Sequence, residues 1–164
     1  MWRRVLLALD QFESGQAALD FAVGMSRSSG TEVRVFHVRE LSRFTRVPPV
    51  ETVKDAVFLV EQAVSTLRQA DIRAEGCTVS TFEEFIPTRI VDEAVRWQCD
   101  AVILGSRRLR GLKRMTGRGV RDRVMRLSPL PVVVAPTPLP ARTRRLRVPG
   151  SPPSGHARVR LRRQ

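Results

Sequence analysis

His37 stands near the end of a strand-length segment, Glu32 to Val38, while His156 lies in an arginine-rich stretch and needs no role. Catalytic use of a histidine requires a nucleophile to serve or an acid to orient it. No Ser or Cys arrangement and no paired carboxylate is tied to His37. It reads as a hydrogen-bonded structural residue at the end of a parallel strand. Glu83-Glu84 and Asp92-Glu93 are adjacent acids that point to different faces, so they read as solvated surface. Cys77 and Cys99 match no metal or redox spacing and read as small semi-buried fillers. Nothing among these assembles a site for bond-breaking chemistry, and the chain reads as a non-enzyme. The segment Arg142-Thr143-Arg144-Arg145-Leu146-Arg147 is different in kind, because clustered arginines are an electrostatic footprint for nucleic acid. With no aromatic residue nearby for base stacking, such a contact would be nonspecific and driven by phosphate. An unselected basic extension is the other reading.

Charge along the chain sharpens that contrast. Residues 1–105 carry a net of −3, residues 106–135 a net of +8 and residues 136–164 another +8, giving the total of +13. The basicity therefore belongs to one loop-helix segment and one tail. Of the 29 basic residues 27 are Arg, a ratio expected of a GC-rich coding bias. A chain of 164 residues can bury its own core, and two distant cysteines imply no disulfide framework, which points to a reducing compartment. The apolar run behind Arg3-Arg4 stops at Asp10, too short for a signal peptide, and no stretch reaches membrane-spanning length. The expectation is a cytoplasmic protein with no membrane contact.

Positioning these residues falls to alternating strand-length and helix-length patterns, the signature of a parallel sheet covered on both faces. Val5–Leu9 is continuously apolar, as a strand buried on both sides should be. Ala17, Ala18, Phe21, Ala22 and Met25 recur at helical spacing, ending near Gly30. A second strand is expected at Glu32–Val38. After Pro48-Pro49, the positions Val53, Ala56, Val57, Val60, Val64 and Leu67 form a helical stripe. The third strand, about Arg73–Ser80, carries Gly76 and exposed charges and reads as a short edge strand. Pro87 suits a first helical turn, with Ile90, Val91, Ala94 and Val95 as the buried face. Ala101–Leu104 is the fourth strand and 106–117 a long polar loop. Val120, Val124 and Leu127 line a fourth helix, with Arg118, Asp122 and Arg126 at i, i+4 spacing outside. Pro129 and Pro131 end it, and Val132–Val134 is the last strand. From 136 on, six of the eleven prolines, eight arginines and no acid leave little to bury, so residues 136–164 are expected to be a disordered tail behind a domain of residues 1–135.

Taken together, Val5–Asp10 with Glu13 and Ala18-Leu19, then Phe36-His37-Val38, Asp100–Arg107 (DAVILGSR), Gly111–Arg114 and Val124–Ala135 (VMRLSPLPVVVA) resemble the universal stress protein family over residues 2–135. The resemblance implies an α/β, Rossmann-like fold: an open five-stranded parallel sheet of order 3-2-1-4-5 with helices on both faces. Winding then reverses between the first and fourth strands, and open α/β sheets place their ligand crevice outside the carboxyl ends of the strands there. Asp10 and Gly105 would stand on its rim. In members that bind ATP, the aspartate and the residues after the second strand hold ribose and adenine, which assigns Asp10 and Val38. The phosphates lie in a loop of form G-x-x-G, nine residues, then G-[S/T], leading into a helix whose free N–H groups complete the cradle.

Against that pattern Gly105 stands in place, but the second glycine's position is Arg108, the third is Arg118, and the serine is Gly119, with Val120 restoring the register. Gln11-Phe12 replaces a Gly-Ser pair common after the first strand. Two readings of the arginines follow. Their side chains block the close backbone approach and ATP binding is lost or weak, the reading preferred here, or two guanidinium groups grip phosphate directly. The expected function is that of a non-enzymatic stress-response binding protein with a degraded or modified adenine-nucleotide site, ATP being the one cofactor to consider. The rival is nonspecific polyanion binding through residues 106–126 and the tail. The resemblance also implies a homodimer through the strand at 132–135.

Overall fold

Val5, Leu6 and Leu7 have no exposed surface, and the reason is the position of their strand. The computed structural model describes residues 2–41, 51–106 and 119–136. In it β1 (Arg4–Leu9) is the central strand of a five-stranded parallel sheet ordered β3-β2-β1-β4-β5, where β2 is Glu32–Glu40, β3 Ala74–Thr81, β4 Ala101–Gly105 and β5 Val132–Ala135. Alternate side chains of β1 enter opposite apolar layers. Val5, Leu7 and Leu9 meet helices α1 (Glu13–Ser26) and α2 (Val53–Gln69), whereas Leu6 meets α3 (Ile86–Arg96) and α4 (Val120–Leu127). The chain winds outward from β1 through β2 to β3 with its helices on one face. It then returns to the far side of β1 for β4 and β5 with its helices on the other, as right-handed crossovers require. The sheet order expected from the resemblance is the order found.

Several side chains depart from the stripes read off the helices. Ala56, Val60, Ala63, Val64 and Leu67 form the buried face of α2, but Val53 and Val57 are exposed. On α3 Val95 is exposed, and on α4 only Val124 is fully buried while Leu127 faces out. Helical spacing selects a face, and the sheet covers only part of that face's width. β3 is an edge strand, as expected, but not a short one: its eight residues pair with β2 from Val33↔Ala74 to Glu40↔Thr81. Gly76 does not weaken it. A Cβ there would lie 2.3 Å from Val60 Cγ1 and 2.9 Å from Val64 Cγ2, so the glycine is the notch that lets α2 settle on the sheet.

Glu93 corrects the reading of the acidic pairs. Asp92 is exposed, but Glu93 is only 3% exposed and accepts two hydrogen bonds from Arg34 of β2, at 3.0 and 2.9 Å, and another from Arg96. Arg34 also pairs with Glu75 at 2.8 Å, and Trp97 Nε1 donates to Glu75 at 2.6 Å with the Arg4 guanidinium over its ring. Trp97 thus ties the end of α3 to the sheet edge. Cys77 is half-buried and Cys99 buried; burial pushes the Cys99 thiol up to about 12. On α4, Asp122 pairs with its neighbour Arg121 at 3.0 Å. Among the described residues no helix is long and apolar enough to cross a membrane.

Candidate functional site

Three chain segments meet where the winding reverses. β1 ends at Leu9, and Asp10 turns the chain toward α1. Its Oδ1 accepts the Phe12 N–H at 3.0 Å and its Oδ2 accepts the Ser14 hydroxyl at 2.7 Å. Phe12, the residue before the helix, has no side chain able to cap it, so the carboxylate orders this turn in its place. Ser14 is buried, and its carbonyl abuts the end of β4: a Cβ on Gly105 would stand 2.2 Å from that oxygen. Gly15 is equally constrained, since a Cβ there would meet the Asp10 carbonyl at 2.0 Å. Asp10, Ser14 and Gly105 are therefore contiguous. Each carboxylate oxygen can accept two hydrogen bonds, and among the described residues each accepts one from this turn.

Val38 lies one step past the last β1–β2 pair, Leu9↔His37, while β2 continues with β3 as far as Glu40↔Thr81. Its peptide is thus on the rim where β1 has peeled away. On the far side Gly105 pairs with Ala135, and Ser106 N–H donates to the Ala135 carbonyl at 3.2 Å. Gly119 is the residue before α4, in an extended conformation (φ −64, ψ 150) without a side-chain cap, and Val120 begins the helix half-buried against the second apolar layer. Arg108 and Arg118, with the rest of residues 107–118, lie outside the described residues, as does the tail from 137.

Two further groups stand at this end of the sheet. His37 is structural, as its position implies, but it has a carboxylate partner. Its Nδ1 is 2.8 Å from the Leu9 carbonyl and its Nε2 is 2.8 Å from Glu51 Oε2, with both side chains buried. Nothing local in the sequence links residues fourteen apart, so no signal announces the pair. The second group is legible: Thr52-x-x-Asp55 is a capping-box spacing, and both of its bonds form, Asp55 N–H to Thr52 Oγ1 at 3.1 Å and Thr52 N–H to Asp55 Oδ2 at 3.0 Å. The bonds from the Thr52 hydroxyl and amide hold the Asp55 carboxyl below the usual carboxylate range. Ser14 is likewise findable, four residues past Asp10 on the first helical turn. Among the described residues no group of three His, Cys, Asp or Glu side chains could hold a metal ion.

A model of the universal stress protein family matches residues 1–136. The chain belongs to that family. A universal stress protein of Bacillus subtilis (strain 168), YxiE, is 26% identical over 150 residues, which cover 82% of this chain and 99% of the relative. Among solved structures, a universal stress family protein from Burkholderia pseudomallei superposes with a TM-score of 0.65 at 18% identity, covering 82% of this chain and 96% of the other. The universal stress protein from Archaeoglobus fulgidus in complex with dAMP gives a TM-score of 0.61 at 23% identity, covering 81% and 97%. These structural likenesses show the universal stress protein fold.

Proposed function

We propose that this universal stress protein is a non-catalytic stress-response module whose crevice takes an adenine nucleotide through its base and ribose half, with the phosphate half degraded. The observation that carries this reading is Asp10. It stands at the winding reversal near Gly105, fixed by Phe12 and Ser14, and a carboxylate of this kind can accept further bonds, such as those from the hydroxyls of a ribose. The related Archaeoglobus protein was solved with dAMP, a nucleotide of that class. Against tight phosphate binding stands the sequence, in which arginines occupy two of the three glycine positions. We take residues 1–135 as the binding unit, assembled as a homodimer through the half-exposed valines of β5.

Calorimetric titration of the full chain with AMP and with ATP and magnesium tests the reading. AMP and ATP should bind within a few-fold of each other, both weakly. The triple change Arg108→Gly, Arg118→Gly and Gly119→Ser should then strengthen ATP alone, by about 1–3 kcal/mol if a few phosphate contacts are regained. ATP binding a hundredfold tighter than AMP in the parent, and weaker after the change, would make the arginines ligands and overturn it.

The segregation of charge favours a second reading, polyanion binding through the basic loop, α4 and the tail. Two of the α4 arginines are already engaged, Arg121 with Asp122 and Arg123 with the Glu84 carbonyl. The tail would then carry the contact. Engaging four to six phosphates gives a log–log salt slope of roughly −4 to −5 on duplex DNA, and truncation after residue 136 should remove most of it.

A further inference from the structure

We infer that His37 and Glu51 form a one-proton latch that positions the base-side rim of the crevice. The Leu9 carbonyl can only accept, so Nδ1 of His37 carries a hydrogen. Nε2 then faces a carboxyl oxygen at 2.8 Å, and that contact is a hydrogen bond only when a proton lies between them. Whether the proton belongs to the ring or to the acid, the pair is electrically neutral overall. That is the least costly way to bury two titratable groups, here 4% and 8% exposed. Without the proton, two lone pairs would oppose each other and the contact would open.

The latch joins three neighbouring points of the rim. Leu9 immediately precedes Asp10, His37 precedes Val38, and Glu51 precedes Thr52, which caps α2. Arg39 adds a second hold on the same peptide, donating to the Glu51 carbonyl at 3.2 Å while its Nε donates to Ser80 at 2.9 Å. The ladder between β1 and β2 ends on the pair Leu9↔His37 itself, and these side chains extend its hold to the start of α2. His37 and Glu51 are positioning residues: they act on a ligand through Asp10 and Val38.

Backbone hydrogen exchange of the full chain, followed by NMR, separates this role from plain stabilisation. Glu51→Ala should speed exchange at the rim amides Phe12, Asp55 and Ala56 by roughly tenfold, the equivalent of one charged hydrogen bond. Amides at the strand centres, Leu7 and Val35, should change less. Glu51→Gln should restore parent rates, because its amide can donate to Nε2 of a neutral ring, and the ¹⁵N signal of Nε2 in that variant should be that of an unprotonated, hydrogen-bonded acceptor. Uniform acceleration of all amides, no change at the rim, or failure of Gln to rescue would each overturn the latch. A last arm rests on the nucleotide reading: Glu51→Ala should weaken AMP by a similar factor and Glu51→Gln should not. If the parent takes no AMP, that reading fails, while the exchange data still decide the latch.

Discussion

Replacing Gly76 by alanine places a methyl group where α2 touches the sheet. Its carbon would lie 2.3 Å from Val60 Cγ1 and 2.9 Å from Val64 Cγ2, against about 3.5–4.0 Å for carbon atoms in contact. Neither valine can swing aside, because a β-branched side chain inside a helix has one strongly preferred rotamer. The helix itself must rise from β3. Overpacking of this kind costs about 1–3 kcal/mol, and two stiff neighbours put the change near the top of that range. Losing the glycine's freedom in the unfolded chain returns up to about 1 kcal/mol, leaving a net loss of about 2 kcal/mol. Val60→Ala alone empties a buried site and should cost about 2–3 kcal/mol. In the double variant the new methyl fills the space that Val60 Cγ1 has vacated. The pair should therefore lose about 2 kcal/mol, well short of the sum of the singles. Urea unfolding followed by circular dichroism, with the slope unchanged, measures all three. Additivity within about 0.5 kcal/mol would refute the notch and leave Gly76 as an ordinary edge glycine.

Glu93→Ala should destabilise the domain by about 3 kcal/mol, the low end for breaking a buried ion pair, since Arg34 keeps Glu75; a loss under about 1 kcal/mol by the same unfolding assay would count against the network. Backbone amides of Arg4 and Arg3 hold the Asp100 carboxyl below its ordinary value of 3.8, as Thr52 does for Asp55. The unfolded chain binds those protons first, so this stability is present above the ordinary carboxylate range and is lost as pH falls through the depressed folded values. Asp100→Asn should accordingly flatten the acid limb of a stability–pH curve, and an unchanged limb would contradict the assignment. Native alkylation with iodoacetamide near pH 8 should mark Cys77 and spare Cys99, whose thiol burial pushes up to about 12; equal labelling would show that the second layer opens readily. Light scattering should return a dimer, and a monomer throughout the micromolar range would remove β5 as the interface.

The strands are legible because a sheet covered on both faces demands unbroken apolar runs, and Val5–Leu9 and Ala101–Leu104 supply them. Their spatial order is not in the pattern; it comes from resemblance, since hydrophobic spacing does not say which strands are neighbours. The helical stripes run wider in sequence than in space at Val53, Val57, Val95 and Leu127, because periodicity names a face but not how far the partner extends across it. Asp92 and Glu93 look alike in sequence. Arg34, fifty-nine residues away, is what makes one of them a core residue. Propensity marks Gly76 as a weak point of its strand, whereas packing decides what it does. Asp10 is legible as a turn cap, and its geometry serves that role. Glu51 is not legible, because its significance lies wholly in a histidine on another element.

β5 ends beside β4, with Ala135 opposite Gly105, and neighbouring strands lie about 4.8 Å apart. The chain beyond Pro136 therefore starts about two strand spacings from the end of β1, on the crevice side of the sheet, whereas β1 begins at the opposite side. Eight arginines follow that point, and their link to it is covalent. Groups tethered in this way are supplied to their point of attachment at an effective concentration on the order of millimolar, fixed by the length of the tether. Diluting the protein does not lower it.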